Sequence, residues 1–352
     1  MTVTVTLGVK NGAAFVEECL TSLIEQTHRP LEIIVVEDSS TDDTLKCLED
    51  WESRHKHMFG ENLEFRILVV NDLGLSASRM LAFREARYPF VATTDIDCRP
   101  EPDWISVLHD ALTDVSEQVA AVTGQTRFAL GDTTTSRLRA ADIERKYANR
   151  TLVTTLANGP CSMYRKSIAL DVGGFEAWWY HAEDLELSLR LIEAGYDIHY
   201  VPKAVVHHVP ESDLGVFLRK RARDARGHFR ILRNHRKMIR RKETRLDFTG
   251  SSARIVWIFP LTMLLIALLL AIPISGHISQ PNGWILFGIL LVIERWLTLS
   301  SSTLPVQSSP SSVRFRDRVV GFGIMRLWSL ALWWGGVRGL LDTLTKSAPV
   351  SD

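Results

Sequence analysis

The sequence predicts an α/β domain with a parallel sheet and flanking helices, followed by a helical transmembrane region. Apolar runs typical of buried strands alternate with helical segments through the first half of the chain, which has 352 residues. Such alternation is characteristic of right-handed βαβ units. Long apolar segments follow a strongly basic stretch. We therefore expect an α/β domain over residues 1–245 and a membrane region over residues 246–352.

The predicted elements follow one another in a regular order. Strands are expected at 2–9, 31–36, 65–70, 90–94 and 120–128, with two short ones at 196–201 and 204–206. Helices are expected at 15–26, 44–51, 76–87 and 134–150, and over a segment that begins near His181. The run from Leu31 to Val36 is almost continuously apolar, which is typical of a strand buried on both faces. Ligands of parallel sheets bind at the carboxyl ends of the strands, and acidic residues follow two of these ends.

The composition limits the possible partners and the compartment. Lys and Arg together number 41, as do Asp and Glu, so no overall charge indicates nucleic-acid binding. The four cysteines are scattered without paired spacing, which favours a reducing compartment over a disulfide framework or a zinc site. The first residues alternate like a strand, so we expect no signal peptide.

Two carboxylates, Asp95 and Asp97, follow the apolar run that ends at Thr94. Side chains two apart on an extended chain lie on the same side, and two carboxylates there repel each other unless a cation lies between them. A divalent cation that carries phosphate oxygens is the usual partner. A strand-end turn, in which Asp is common, is the alternative. Because the first half of the chain lacks glycine-rich phosphate-binding motifs, phosphates would depend on metal and basic side chains.

Two further groups of polar residues are candidates for chemistry. Glu183 and Asp184 lie in the first turn of a predicted helix, where the helix dipole alone favours acidic side chains. The functional interpretation is a carboxylate held near the metal site as a general base. His207 and His208 close the predicted strands, where a neutral imidazole could bind a metal, although a structural role is commoner.

An ordered series of motifs along the first 240 or so residues resembles the inverting glycosyltransferases of family 2. The motifs are Val9-Lys10-Asn11, Ser22 to Thr27, Ile34 to Asp42, Asn71 to Arg79, Asp95-Ile96-Asp97, Gly173-Gly174-Phe175, Glu183 to Leu191 and Pro202 to His208. The resemblance implies the GT-A fold, a Rossmann-like, mixed and mainly parallel sheet with flanking helices. It also implies an enzyme that transfers a sugar from a nucleotide-sugar donor.

The resemblance implies a role for each matching residue. Asp184 would be the catalytic base that deprotonates the acceptor hydroxyl. Asp97, with Asp95 and His208, would hold Mn²⁺ or Mg²⁺ on the donor diphosphate. The residues that would bind the nucleotide sugar are Glu37, Asp38, Asp72, Arg79 and Asp95, and those that would contact or support the acceptor are Glu183, Gly159 and Arg223.

The chain departs from the family pattern at several positions. Glu37 replaces the first Asp of the V-V-D-D-G-S-T-D signature, Ser39 replaces its Gly, and Met80 replaces the usual Asn of N-x-G-x-x-x-A-R-N. None of these changes removes a group that the mechanism needs. The Q-x-x-R-W motif of processive synthases is absent, and a basic stretch from Arg219 to Arg223 lies nearby instead. We therefore favour transfer of a single sugar over polymer synthesis.

Three apolar segments are predicted to lie in or on a membrane, at about 255–275, 284–304 and 319–341. The second carries Glu294 and Arg295, charges that we expect to face a bundle interior or each other. The third contains Trp and Arg residues, and either spans the membrane or lies flat as an amphipathic anchor. Basic flanking residues predict that the α/β domain faces the cytoplasm. The alternative is the buried helical bundle of a soluble protein.

Together these patterns predict an integral protein of the cytoplasmic membrane that is a metal-dependent glycosyltransferase. Its donor would be a UDP- or GDP-sugar, and its acceptor a hydroxyl of a lipid-linked or cell-envelope glycan, in contact with membrane lipids. One alternative is a polyprenyl-phosphate sugar synthase, whose acceptor phosphate is already ionised and needs no base. Another is a non-catalytic scaffold or sensor, which would have no need of Asp38, Asp95, Asp97 and Asp184 together.

Overall fold

A computed structural model describes residues 3–179, 181–241, 246–248, 253–271, 280–302 and 315–345 of the chain. Within these residues, one sheet has the strand order β3-β2-β1-β4-β7-β6-β8-β5. The strands are β1 (Val3–Val9), β2 (Leu31–Asp38), β3 (Leu63–Val70), β4 (Phe90–Thr93), β5 (Cys98–Pro100), β6 (Val119–Phe128), β7 (Ser162–Arg165) and β8 (Asp197–His208).

The sheet is mixed and mainly parallel, as the resemblance to family 2 implies. Strand β1 is parallel to both β2 and β4, β2 to β3, and β6 to β8. Strand β7 is antiparallel to its neighbours β4 and β6, and β5 is antiparallel to β8. The carboxyl ends of β1, β2 and β4 therefore meet at one edge, where ligands of such sheets bind. The acidic residues that end β2, Glu37 and Asp38, and those that follow β4 lie at this edge.

Helices flank the sheet and continue beyond it. In the α/β part they are α1 (Val16–Ile24), α2 (Thr44–His55), α3 (Leu75–Glu85), α4 (Trp104–Thr113), α5 (Thr134–Ala148), α6 (Lys166–Asp171), α7 (Glu183–Glu193), α8 (Leu214–Asn234) and α9 (Arg236–Arg241). In the C-terminal part they are α10 (Ala253–Val256), α11 (Ile258–Ala271), α12 (Gln280–Ser302) and α13 (Phe315–Thr345).

Strand β2 is buried on both faces of the sheet. Ile33 and Val35 lie in one apolar core, together with residues of α1 and α2. Ile34 and Val36 lie in a second core, together with residues of α3 and α7. Because successive side chains of a strand point to opposite faces, a continuous apolar run fills both cores. The prediction of a fully buried strand here is confirmed.

Two strand predictions need correction, and two strands are not predicted. The stretches 196–201 and 204–206 belong to one strand, β8, whose residues between Tyr200 and Val205 depart from the ladder with β6. The sequence does not predict β5 or β7, because strands of 3 and 4 residues carry too little pattern. Pairing with longer neighbours defines both of these strands.

Two C-terminal helical stretches are long and apolar enough to cross a membrane, Arg254–Ala271 and Asn282–Ser300. They overlap the first two predicted segments, of which 272–275 and 303–304 lie outside the described residues. Glu294 in the second stretch is buried, pairs with Arg326 of α13, and accepts a hydrogen bond from Thr262 of α11 at 3.2 Å. This charge therefore faces the other helices, as expected.

Helix α13 contains the third predicted segment and packs along α8 of the α/β part. The ring of Trp328 on α13 meets Phe217 on α8 edge-on, with 4.9 Å between the centroids. Helix α13 also contacts α10, α11 and α12 of the C-terminal part. It therefore joins the apolar helices to the α/β part of the molecule.

Candidate functional site

Asp95 and Asp97 lie in a turn between β4 and β5, so the expectation of an extended chain at these residues is wrong. The backbone N–H of Cys98 donates to the carbonyl oxygen of Asp95 at 3.0 Å, which closes the turn. The two carboxylates take different partners. Asp95 pairs with Arg79 at 2.7 Å, and Asp97 lies 3.3 Å from His208.

Strand pairing brings Asp97 and His208 together. Strands β5 and β8 are antiparallel, with Cys98 opposite His208. Nδ1 of His208 lies 2.7 Å from the carbonyl oxygen of Val209, which can only accept a hydrogen bond, so Nδ1 carries a proton. In the neutral ring, the lone pair of Nε2 then faces Oδ2 of Asp97. The ring of Phe128 stacks on His208 at 4.1 Å between centroids and fixes its plane.

The arrangement of Asp97 and His208 suits a divalent metal ion. One possible ligand atom each from Asp97, Cys98 and His208 lies within 4.8 Å of the others. Burial, with the nearby carboxylates of Asp97 and Asp95, raises the pKa of the Cys98 thiol well above its usual value. Asp97 offers a carboxylate and His208 an imidazole whose other nitrogen bonds a backbone carbonyl, and this pair fits a divalent metal ion.

Arg79 is a buried bridge between acidic groups of the site. Its guanidinium pairs with Asp95 at 2.7 Å and with Glu183, and only 4% of the residue is exposed. Burial opposes the positive charge, but Glu183, Asp95 and Asp184 outweigh it and raise the pKa of Arg79. Burial raises the pKa of Glu183, against the effect of Arg79. Arg79 therefore ties the turn after β4 to the start of α7.

Asp184 is held at the start of α7 by two backbone N–H groups. Its Oδ2 accepts from Gly159 at 2.9 Å, and its Oδ1 accepts from Leu185 at 2.7 Å. Gly159 has no room for a side chain, because a Cβ there would lie 2.6 Å from a guanidinium nitrogen of Arg79. Asp184 is only partly buried, so its carboxylate is oriented and still accessible.

The last two residues of β2, Glu37 and Asp38, form a second acidic group at the same edge of the sheet. Both oxygens of Asp38 accept backbone N–H groups, from Leu73 at 2.8 Å and from Gly74 at 2.7 Å. Glu37 accepts from a backbone N–H of the turn that follows it, at 2.7 Å. Glu37 and Asp38 are buried, whereas Asp72 is exposed. Asp38 thus joins β2 to the loop before α3.

Arg223 of α8 stands apart from the other predicted site residues. No hydrogen bond or ion pair within the described chain joins Arg223 to Gly159 or Glu183, and its buried Nε has no hydrogen-bond partner there. Another residue of α8, Asp224, lies 2.6 Å from His181 just before Asp184, and no motif in the sequence indicates it. No spacing pattern in the sequence links residues so far apart, so only the fold reveals this pair.

Solved structures with the same architecture support the assignment of the fold. A mannosyltransferase from Pyrobaculum calidifontis, solved in complex with GDP-Man and Mn²⁺, matches with a TM-score of 0.57 at 17% identity, over 97% of this chain and 87% of that one. The structure of GalNAc-T7 with UDP, GalNAc and Mn²⁺ matches with a TM-score of 0.50 at 15% identity, over 66% of this chain and 48% of that one. The protein has the GT-A fold.

Family models make the assignment more specific. The model for glycosyl transferase family 2 matches residues 4–173. The model for glycosyl transferase family group 2 matches residues 90–335, which is more than half of the chain. The chain belongs to the family 2 glycosyltransferases.

Curated relatives match about three fifths of the chain. An N-acetylglucosaminyltransferase of Rhizobium leguminosarum bv. viciae is 30% identical over 228 residues, which are 60% of this chain and 52% of the relative. A pre-mycofactocin glycosyltransferase of Mycobacterium tuberculosis (strain ATCC 25618 / H37Rv) is 28% identical over 227 residues, 62% of this chain and 45% of the relative. The chain thus spans about half the length of the curated relatives it matches.

Proposed function

We propose that the protein is a metal-dependent, inverting glycosyltransferase that transfers a sugar from a nucleotide-sugar donor to a hydroxyl group. The observation that carries this proposal is the placement of three groups at the carboxyl edge of the sheet. They are the Asp97 and His208 pair, the oriented carboxylate of Asp184, and the buried Arg79 that connects the turn of Asp95 to the start of α7.

Asp97 and His208 would hold the metal ion, with Asp95 beside them on the same turn. Bound there, Mn²⁺ or Mg²⁺ would stabilise the negative charge that develops on the departing nucleoside diphosphate. Asp38 and Glu37 would lie at the nucleotide, with Asp72 at the exposed rim. Each oxygen of Asp38 accepts one hydrogen bond from the protein backbone. A carboxylate has further lone pairs, which can accept a hydrogen bond from the nucleobase of the donor.

Asp184 would take the proton of the acceptor hydroxyl as this oxygen attacks the anomeric carbon. The N–H groups of Gly159 and Leu185 hold its two oxygens, which fixes the direction of the remaining lone pairs. Glu183 faces Arg79 instead and is buried, so it supports the site and does not compete for the acceptor. Fixed orientation of the base at the reacting oxygen is a large part of the rate enhancement in such reactions.

The donor and the acceptor are proposed from the relatives and from the C-terminal helices. The N-acetylglucosaminyltransferase relative and the neighbours solved with GDP-Man and with UDP make a UDP- or GDP-sugar the donor class to test. Residues 1–245 would form the catalytic domain and 246–352 a membrane region in contact with lipids. The domain would face the cytoplasm, and the acceptor would be a lipid-linked or envelope glycan.

The experiment is a donor-binding panel with the full-length protein in detergent. UDP- and GDP-sugars, with UDP-N-acetylglucosamine first, are titrated in Mn²⁺, in Mg²⁺ and in chelator, for the wild type and Asp97→Ala. We expect one donor to bind only with metal, and Asp97→Ala to abolish that binding. Equal donor binding with metal and with chelator, or an Asp97→Ala variant that binds like the wild type, would show that the metal assignment is wrong.

A further inference from the structure

Helix α8 lies between α13 and the segment that carries Asp184. On one side α8 packs along α13, and on the other it contacts His181 and Ala182. These two contacts connect the C-terminal helices physically to the candidate base. Close backbone approaches and charge pairs on both sides of α8 hold this helix between α13 and the His181–Ala182 segment.

The contact between α8 and α13 depends on two glycines four residues apart, which lie on one face of α13. A Cβ at Gly335 would overlap the carbonyl oxygen of Ala222, and a Cβ at Gly339 would lie 2.7 Å from the carbonyl oxygen of Arg226. Small residues at this spacing let two helix backbones approach each other closely. The adjacent Gly336 has no such neighbour within 4 Å, so the close approach is confined to one face.

A charge pair fixes the register of the same two helices. The guanidinium of Arg226 on α8 donates to both carboxylate oxygens of Asp342 on α13, at 2.6 and 3.0 Å. The side chains are only 14% and 12% exposed. A two-bond pair of this kind specifies geometry as well as attraction. Sliding or rotating α13 along α8 would break this two-bond pair between mostly buried charges.

The opposite side of α8 holds the segment just before α7. Asp224 of α8 lies 2.6 Å from Nε2 of His181. A Cβ at Gly227 would lie 3.0 Å from the carbonyl oxygen of His181 and 3.2 Å from the Cβ of Ala182. Ala182 has a φ of +63°, a left-handed conformation that is unfavourable for alanine. Such a conformation persists only where surrounding contacts enforce it.

We propose that α13 positions Asp184: by fixing α8, it fixes the His181–Ala182 segment, and with it the direction in which α7 presents the carboxylate. The proposal rests on the proposed function, because it assumes that Asp184 is the base. Helix α13, which lies in the C-terminal region, then contributes to catalysis by packing on α8 of the catalytic domain. His181 and Asp224 are positioning residues, since the proposal gives them no contact with the reacting atoms.

The first test compares Gly335→Ala with the matched control Gly336→Ala in the full-length protein. Both variants add one methyl group to neighbouring positions of the same helix, but only the first meets α8. We expect Gly335→Ala to lower kcat by roughly tenfold or more, because a small displacement of a catalytic group costs up to about a hundredfold. The dissociation constant for the donor with Mn²⁺ and the KM for the donor should stay unchanged, and Gly336→Ala should match the wild type.

The second test uses the charge pair and does not depend on the glycines. Arg226→Asp and Asp342→Arg each place like charges together and should lower kcat with donor affinity retained. The double variant, in which the charges are exchanged, should recover most of the lost kcat. General loosening of the fold would lower donor affinity in the single variants as well, and it would not produce recovery by exchange.

The outcomes separate this inference from the proposed function. If Asp184→Asn abolishes transfer while Gly335→Ala and the single charge variants turn over like Gly336→Ala, Asp184 remains the base and the positioning proposal is overturned. A kcat loss that comes with an equal loss of donor affinity overturns it too. If Asp184→Asn turns over like the wild type, the assignment of the base fails first.

Discussion

His208 and His207 are neighbours in β8 with opposite surroundings. His208 is buried, stacks on Phe128 and turns Nε2 toward Asp97. His207 is 48% exposed and lies 3.0 Å from Glu101. The His-His pair alone does not tell which ring the fold turns inward, and only the resemblance to family 2 selects His208 in the sequence. Side chains alternate along a strand, so the pairing of β5 with β8 determines which of the two rings faces Asp97.

We expect His208→Ala to weaken Mn²⁺-dependent donor binding by at least roughly tenfold, as loss of groups at metal sites commonly does. His207→Ala is the matched control and should bind the donor like the wild type. Titration of donor at fixed Mn²⁺, and of Mn²⁺ at fixed donor, measures both effects. A His208→Ala variant with unchanged Mn²⁺ dependence would remove His208 from the metal site.

Arg79 supplies the positive charge that two acidic groups share. We expect Arg79→Met to lower the free energy of unfolding by about 3–5 kcal/mol, because Glu183 is left as a buried carboxylate without a partner. Urea-induced unfolding followed by tryptophan fluorescence measures the change. Arg54→Met, which breaks the exposed pair with Glu17, is the control and should change little. Equal effects of the two variants would contradict the bridging role.

The contact between α5 and α8 contains a histidine that the fold keeps uncharged. Burial and Lys146 lower the pKa of His228 from 6.5 to about 4, against the attraction of Asp224. In the described chain, its Nδ1 is buried without a hydrogen-bond partner. Between these two pKa values the unfolded chain binds more protons than the folded chain does. The contribution of His228 to stability is therefore complete above pH 6.5 and is lost as the pH falls toward 4.

We expect the unfolding temperature to fall between pH 6.5 and pH 4.5, and to fall less steeply in His228→Gln. The amide of Gln does not titrate, so the difference between the two slopes isolates this group. Depressed carboxylates such as Asp224 lose their contribution only below their usual value of 3.8, outside this interval. Parallel slopes for wild type and His228→Gln would contradict the lowered pKa.

At the scale of elements, the sequence predicts the strands and helices that have a long apolar pattern. Strand β2 and helix α5 appear where the pattern places them, because each buries a long face. The short strands β5 and β7 depend on partners distant in the chain, and the turn of Asp95 and Asp97 depends on β5. For the same reason the sequence predicts Asp97 and His208 as separate site residues but not their contact with each other. The bridge that Arg79 forms between Asp95 and Glu183 is likewise visible only in the fold.

At the scale of the whole molecule, the C-terminal helices and the α/β part form one connected structure. Composition predicts apolar helices, two of which are long and apolar enough to cross a membrane. It does not predict that α13 would pack along α8, because the glycines and charges involved are spread over both helices. The proposed transfer to a hydroxyl depends on one group at the other end of this connection, the carboxylate of Asp184.

The most direct measurement compares the rate of sugar transfer by Asp184→Asn with its affinity for the donor. Glu193→Gln, at the exposed end of α7, is the control. We predict that Asp184→Asn binds the donor with Mn²⁺ like the wild type and transfers the sugar roughly 10²–10⁴-fold more slowly, because the acceptor hydroxyl keeps its proton. Glu193→Gln should transfer like the wild type. Transfer by Asp184→Asn at the wild-type rate would contradict the account and would point to an acceptor that is already ionised, such as a phosphate.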